Sequence, residues 1–302
     1  MQRGINVELF EVLKARAGVP VRDTFAMLFC KNGIDTSGLA PFGTSWNLFS
    51  PPPNGAEEME FLNPGIYLKG KAEPAFFGFT CAESPTAIDF TTVKSLRAYG
   101  EFTGATDPQS GTTVTGGMQV FPSVYSGGSM AGSTAYAIAT DGASYVDMDC
   151  MGFGGEQYLV LYADLTAVMT FTSLKFTYYP AADIADLSES TWEQRNFETP
   201  TSYYITCNSA VPVPAGKTGI AVHLALSGRV SQTCLQFLDS GGNVIGYGDG
   251  WGASASDGNS LCTHFQSIPS GTASVIIAAG YSPLNSYAVT PENLTKCVVC
   301  FS

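Results

Sequence analysis

Thr233-Cys-Leu-Gln-Phe-Leu-Asp-Ser-Gly-Gly-Asn-Val-Ile245 is the stretch that decides the fold. A largely apolar run ending at Leu238 meets the turn formers Asp239, Ser240, Gly241, Gly242 and Asn243, and Val244 and Ile245 then resume the apolar pattern. Two short apolar runs joined by such residues read as a β-hairpin, because Gly and Asn tolerate the positive φ that a tight turn demands. The neighbouring sequence has the same grain. Tyr203–Cys207, Gly219–Ser227 and Ala273–Ala279 are short apolar pieces, separated by Val213-Pro-Ala-Gly216 and Ile268-Pro-Ser-Gly-Thr272. That is the texture of short antiparallel strands joined by tight turns.

Working outward, the whole chain carries this texture. Its 302 residues are enough for two domains of ordinary size. Apolar residues make up 45%, as in a globular protein, whereas charged residues make up 13%, about half the usual share. Thirty-three glycines and 17 prolines supply turns. From residue 61 to 182, strand-like runs recur at Gly65–Lys69, Ala75–Thr80, Val93–Phe102, Met118–Phe121, Ala143–Cys150, Tyr158–Tyr162 and Met169–Tyr178. The spacing predicts a first β-sandwich over 61–182, and residues 201–302 a second. Between them, residues 183–200 are rich in acids and read as a linker.

Residues 1–60 read differently. Ile5, Leu9, Val12 and Leu13 recur at helical spacing, and Gly18 stops the pattern. Residues 20–32 fit a helix or a strand equally, and residues 34–58, with Pro51-Pro-Pro-Asn-Gly55, read as an extended connector. The fold expected is therefore all-β: two tandem sandwiches preceded by a short helical or extended arm. Leu9, Phe10, Val12, Leu13, Phe25, Leu28 and Phe29 are the arm's apolar side chains. Burying one such side chain is worth roughly 1.5–3 kcal/mol, and so short a segment cannot enclose them alone. They need a surface on the chain's own sandwiches, on a sister subunit or on another protein.

The order Val213-Pro-Ala-Gly-Lys217, Phe237-x-Asp-Ser-x-Gly-Asn-x-Ile-Gly246 and Ile268-Pro-Ser-Gly-Thr-Ala-Ser-Val-Ile-Ile277 resembles the β-sandwich modules of tail-fibre and other structural proteins of tailed bacteriophages. Those modules share a jelly-roll architecture with carbohydrate-binding modules. The resemblance covers roughly the last hundred residues well, the middle loosely and the first sixty not at all. It implies jelly-roll-like sandwiches and a non-enzymatic virion protein: a tail fibre, a baseplate component, or a capsid-attached fibre or decoration. The partners it implies are other virion proteins, sister subunits in a homo-oligomer such as a trimer, and a host surface glycan. The other reading is a bacterial carbohydrate-binding or adhesin protein, which needs export. Arg3, Glu8, Glu11 and Lys14 interrupt the N-terminus where a signal peptide needs an apolar core. The expected place is thus the virion, after synthesis in the host cytoplasm.

The net charge of −12 is spread along the chain and forms no basic patch. Nucleic acid and anionic membranes are therefore not expected partners. The eight cysteines are widely spaced and read as reduced apolar residues, Cys297-Val-Val-Cys300 included. His223 and His264 lie in separate strand-like runs with no third group marked to orient either. Asp147 and Asp149 share a strand face about 7 Å apart, where solvated carboxylates are commoner than a catalytic pair. Asp239, Asp249 and Asp257 sit in predicted loops without the dense alternation of a Ca²⁺ loop. No metal, cofactor or catalytic set is expected. The most informative polar segment is Gly246–Ser260, read as a long glycine-rich loop. It brings Tyr247 and Trp251 near Asp249, Asp257 and Asn259, an aromatic platform beside hydrogen-bonding groups, which suits a sugar.

Overall fold

The computed structural model describes residues 24–28, 46–49, 58–62, 65–70, 80–84, 86–125, 132–194, 204–227, 231–251, 261–281 and 288–302. The chain divides into two compact units, Met1–Cys150 with Glu156–Tyr178, and Met151–Gly155 with Tyr179–Ser302. Both are antiparallel β-sandwiches, so the all-β, tandem-sandwich reading holds. Apart from strands, regular structure among the described residues amounts to two 3-10 turns, Ala181–Asp183 and Pro291–Asn293.

The first unit contains β1 (Thr24–Leu28), β2 (Asn47–Phe49), β3 (Met59–Leu62), β4 (Gly65–Lys69), β5 (Thr80–Glu83), β6 (Ile88–Asp89), β7 (Val93–Thr103), β8 (Ala105–Thr106), β9 (Thr113–Val114), β10 (Gly116–Phe121), β11 (Ala135–Ile138), β12 (Tyr145–Asp149), β13 (Glu156–Ala163) and β14 (Val168–Tyr178). One sheet runs β12-β7-β14-β4-β3, with β1 also on β14. The other runs β11-β10-β13-β5-β2, with β6 on β13. Strand β14 is long enough to pair with β4 through Val168–Phe171 and with β1 through Ser173–Thr177. Period-two alternation buries Leu96, Ala98 and Phe102 of β7 and Met169 and Phe171 of β14, and a register shift between Phe171 and Ser173 moves the buried parity of β14 to Leu174 and Phe176.

Residues 1–60 are therefore not simply an arm. β1 and β2 each add a strand to a sheet of the first unit, and Trp46 is buried. Within 20–32, Thr24–Leu28 is a strand, because β14 offers an unpaired edge that an isolated helix would leave unsatisfied. Of the arm's apolar residues, Phe25 and Leu28 lie on β1, paired with Phe176 and Ser173. Leu9, Phe10, Val12, Leu13 and Phe29 fall outside the described residues.

The second unit contains β15 (Ile184–Asp186), β16 (Trp192–Gln194), β17 (Tyr204–Cys207), β18 (Val211–Pro212), β19 (Gly219–Leu226), β20 (Ser231–Leu238), β21 (Val244–Trp251), β22 (Leu261–Ser267), β23 (Ser274–Tyr281) and β24 (Leu294–Phe301). One sheet runs β15-β24-β19-β22. The other runs β16-β17-β23-β20-β21, with β18 on β23. Val222 and Leu224 from β19, Leu235 and Phe237 from β20, and Ile277 from β23 pack in one cluster with Cys297 and Val299 of β24. Burying these side chains from both inner faces is what makes the two sheets one sandwich.

Two local readings need correcting here. The stretch 183–200 is not a plain linker: β15 pairs with β24, and β16 pairs with β17. Trp192 is buried, and its Nε1–H donates to the Leu187 carbonyl at 3.1 Å. The acids of this stretch hid the short strands: Asp186 and Glu193 are exposed, whereas Trp192 is buried. Likewise Gly246–Trp251 is not loop but the greater part of β21. Among the described residues seven cysteines are free thiols, six of them buried and Cys234 half-buried.

Candidate functional site

Asp239 builds the hairpin that sets the site. Its Oδ1 accepts from the backbone N–H groups of Gly241 and Asn243, both at 2.8 Å, and Asn243 Nδ2 donates to its Oδ2 at 3.1 Å. The side-chain and backbone donors of Asn243 hold the Asp239 carboxyl below the usual carboxylate range. Gly242 takes φ +80°, a conformation that costs glycine nothing. With the turn fixed, β20 and β21 pair in register: Gln236 opposite Tyr247, Cys234 opposite Asp249, Gln232 opposite Trp251.

That register sorts β21 into two faces. Gly246, Gly248 and Gly250 stand opposite Phe237, Leu235 and Thr233, all three of them buried. A Cβ at Gly250 would fall 2.3 Å from His264 Cβ, and one at Gly248 would fall 2.0 Å from Gln266 Oε1. The glycines thus admit β22, where His264 Nε2 and Gln266 Oε1 lie 2.6 Å apart. Positions 245, 247, 249 and 251 alternate to the other face. Tyr247 is 52% exposed there, and Asp249 is also exposed.

The same outer face continues across the sheet. Cys234 and Gln236 of β20 are half-buried on it, and Tyr204 of β17 pairs with Gly280 of β23. Burial pushes the Tyr204 hydroxyl up to about 12; the Cys234 thiol, with which it hydrogen-bonds, and the Asp249 charge add to this. Burial likewise pushes the Cys234 thiol up to about 12, with Tyr204 acting against the shift and Asp249 adding to it. Tyr204 of β17, Cys234 of β20 and Asp249 of β21 thus lie near one another on a single sheet.

Of the sugar-contact residues expected from the sequence, Tyr247, Asp249 and Trp251 share one strand face by register, while Asp257 and Asn259 lie outside the described residues. Sequence reading missed Tyr204, Gln232 and Gln236. Counting outward from the hairpin places Gln236 opposite Tyr247, so that one was within reach. Tyr204 and Gln232 depend on the order of strands in the sheet.

The other candidates resolve structurally. His223 is buried on β19, with Nδ1 3.0 Å from Thr263 Oγ1 on the paired strand β22. Asp147 forms a two-point ion pair with Arg97. Asp239 is spent on its hairpin. No group of three His, Cys, Asp or Glu that could hold a metal ion occurs among the described residues. The first unit has an open cavity of about 370 Å³ at β9, β10, β11 and β13, with Asp141 and Asp164 in its wall. Asp141 Oδ1 accepts from Gly104 N–H at 2.7 Å and Asp164 Oδ1 from Leu165 N–H at 2.9 Å, which ties both carboxyls to the backbone.

No protein-family model and no curated protein matches the sequence. Among solved structures, the chain is similar to the N-terminal CBM22-1–CBM22-2 tandem domain of Xyn10C from Paenibacillus barcinonensis, at 11% identity over 86% of this chain and 93% of that one. The TM-score is 0.26, and so low a score carries no argument about this chain.

Proposed function

We propose that the protein is a non-enzymatic structural β-sandwich protein of a tailed-phage virion, and that the outer β21 face of its second unit contacts host glycan. The observation that carries the glycan half is the alternation along β21. Inner positions are glycine so that β22 can close over them, and the outer positions present exposed Tyr247 and Asp249 beside Gln236. An aromatic ring beside hydrogen-bonding groups matches a sugar, which has a C–H face and a rim of hydroxyls. The virion half rests on the resemblance of residues 213–277 to phage structural modules and on a charge-poor, turn-rich composition suited to a durable shaft or knob.

Two measurements test the two halves. Glycan-array binding by the full chain should fall about tenfold or more in Tyr247→Ala with the fold intact; unchanged binding removes this face from the proposal. Mass spectrometry of purified particles should find the chain in stoichiometric amount, and its absence there favours the bacterial adhesin reading. An arm-deletion assay should remove residues 1–23 and not 1–60, because the longer cut takes β1 and β2 out of the first sandwich. Loss of incorporation with folded sandwiches is the expected result.

A further inference from the structure

The open cavity of the first unit has negative charge in its wall and nothing among its described lining residues to balance it. Its volume of about 370 Å³ lies at the low end of the range for small-molecule sites, about 300–1,000 Å³. Val114, Ile138, Ala139 and Tyr162 give it an apolar wall, which Asp141 and Asp164 interrupt. No Lys, Arg or His is among the described residues that line it. A ligand can reach both carboxyls, since Asp141 is exposed and Asp164 half-buried. The backbone N–H groups of Gly104 and Leu165 occupy Oδ1 of each, and neither Oδ2 has a hydrogen-bond partner among the described residues. Asp107 adds a third charge close to Asp164. Its own oxygens accept from Gln109 N–H at 2.9 Å and Ser110 Oγ at 2.6 Å, which satisfies that carboxylate without neutralising it. Burial pushes the Asp164 carboxyl above its ordinary value; the Leu165 N–H acts against this, and the Asp107 charge adds to it. A partly desolvated carboxylate beside a like charge is unfavourable until a cation arrives. The backbone that holds it is strained: Leu165, the next residue, has φ 45° and is the one non-glycine residue at positive φ among the described residues.

We propose that this cavity binds an organic cation, a primary ammonium on a short alkyl stem. The ammonium donates to Asp164 Oδ2, Asp141 supplies a second carboxylate in the same wall, and the stem lies against Val114, Ile138 and Ala139. Other ligand classes use this wall less well. A divalent metal ion seeks six or more oxygens and gains nothing from apolar side chains. An anion meets like charge, and a neutral alcohol leaves the Asp164 charge uncompensated. A free amine and a lysine side chain of a partner protein carry the same ammonium and the same stem. The site lies on the first unit and does not depend on the glycan reading.

The test titrates the full chain by calorimetry at low salt with n-butylammonium, and with n-butanol, butyrate and Ca²⁺ in parallel. Saturable binding of butylammonium alone is expected, weakened by added salt. Asp164→Asn keeps an acceptor for the Leu165 N–H, so its melting temperature should stay the same or rise. It should nevertheless weaken binding about tenfold, the effect of losing one charge-assisted hydrogen bond. Asp141→Asn should act in the same direction by a smaller factor, because Asp141 is exposed. Ile138→Ser, also an exposed change, should weaken butylammonium and leave methylammonium alone, which a site reading charge only would not do. N-acetyl-lysine methylamide separates the two sources: binding tighter than that of butylammonium assigns the site to a partner's lysine, and weaker binding to a free amine. Butanol bound as tightly as butylammonium, Ca²⁺ bound in preference to it, or affinity unchanged in both aspartate variants would overturn the proposal. So would the absence of binding by every amine, and none of these outcomes bears on the β21 face.

Discussion

The two units each place Tyr-x-Asp on an outward strand face: Tyr145-Val-Asp147 on β12 of the first, Tyr247-Gly-Asp249 on β21 of the second. Cross-strand partners make them different surfaces. On the first unit Tyr99 and Arg97 of β7 stand opposite Tyr145 and Asp147. Arg97 Nε and Nη2 donate to the two carboxylate oxygens at 2.6 and 2.7 Å, and the guanidinium lies 3.9 Å from the Tyr145 ring centroid and 5.8 Å from that of Tyr99. Charge, fork and rings meet within the sheet. On the second unit the partners are Gln236 and Cys234, neither of them a cation. The same tripeptide thus closes on itself where its neighbour is arginine and faces outward with its acceptors where its neighbour is an amide. The spacer differs to match: Val146 is buried in the first unit, and Gly248 makes room for Gln266 in the second.

The largest expected effect comes from changing the spacers of the open face. Gly250→Val puts a branched side chain where His264 already stands, and overpacking of this kind costs about 1–3 kcal/mol. A lowered denaturant midpoint with an unchanged slope would show it. A variant as stable as the parent would mean that β22 does not close over β21, and the reason for the glycines would be gone.

Part of this arrangement was legible in the chain. Asp239–Asn243 could be read as a hairpin because its chemistry is local: an acceptor side chain, two glycines and an asparagine within five residues. Alternation along β19 puts Val222 and Leu224 on one strand face, and both are buried in the core. What could not be read depends on partners distant in sequence. Arg97 meets Asp147 across fifty residues, so a pair that read as solvated carboxylates turned out to have one member held by a guanidinium. β1 is a strand because β14 has an edge to pair, and β15 and β16 are strands because β24 and β17 do. Trp192 was the signal overlooked in the acidic stretch, since a lone tryptophan among acids is better explained by burial than by a linker.

The second effect is smaller and falls on the closed face. Arg97→Ala removes a two-point ion pair and a cation–π contact, both partly exposed, so about 1 kcal/mol is expected at low salt. Salt should shrink the difference by screening the ion pair. Arg97→Lys should recover only part of it, because an ammonium lacks the planar fork that makes two parallel bonds to the carboxylate while stacking on the tyrosine ring. Full recovery by lysine would mean that the fork geometry is incidental and that the face is held by charge alone.

The smallest effect on stability is expected at the residue on which the glycan reading leans hardest. Tyr247 is 52% exposed on an outward position of β21, and its cross-strand partner Gln236 is half-buried. Truncating it should change stability by no more than about 0.5 kcal/mol, the ordinary range for a surface substitution. Tyr145 is similarly exposed at 44%, yet it covers the Arg97 guanidinium, so Tyr145→Ala should cost measurably more. Stability and glycan binding should then separate in opposite directions. Tyr145→Ala loses stability and leaves binding alone, whereas Tyr247→Ala keeps stability and loses binding. Paired melting curves and array titrations of the two variants decide it. If Tyr247→Ala melts as low as Tyr145→Ala, its ring is holding the sheet together, and the outer face of β21 is a self-contained surface like that of β12.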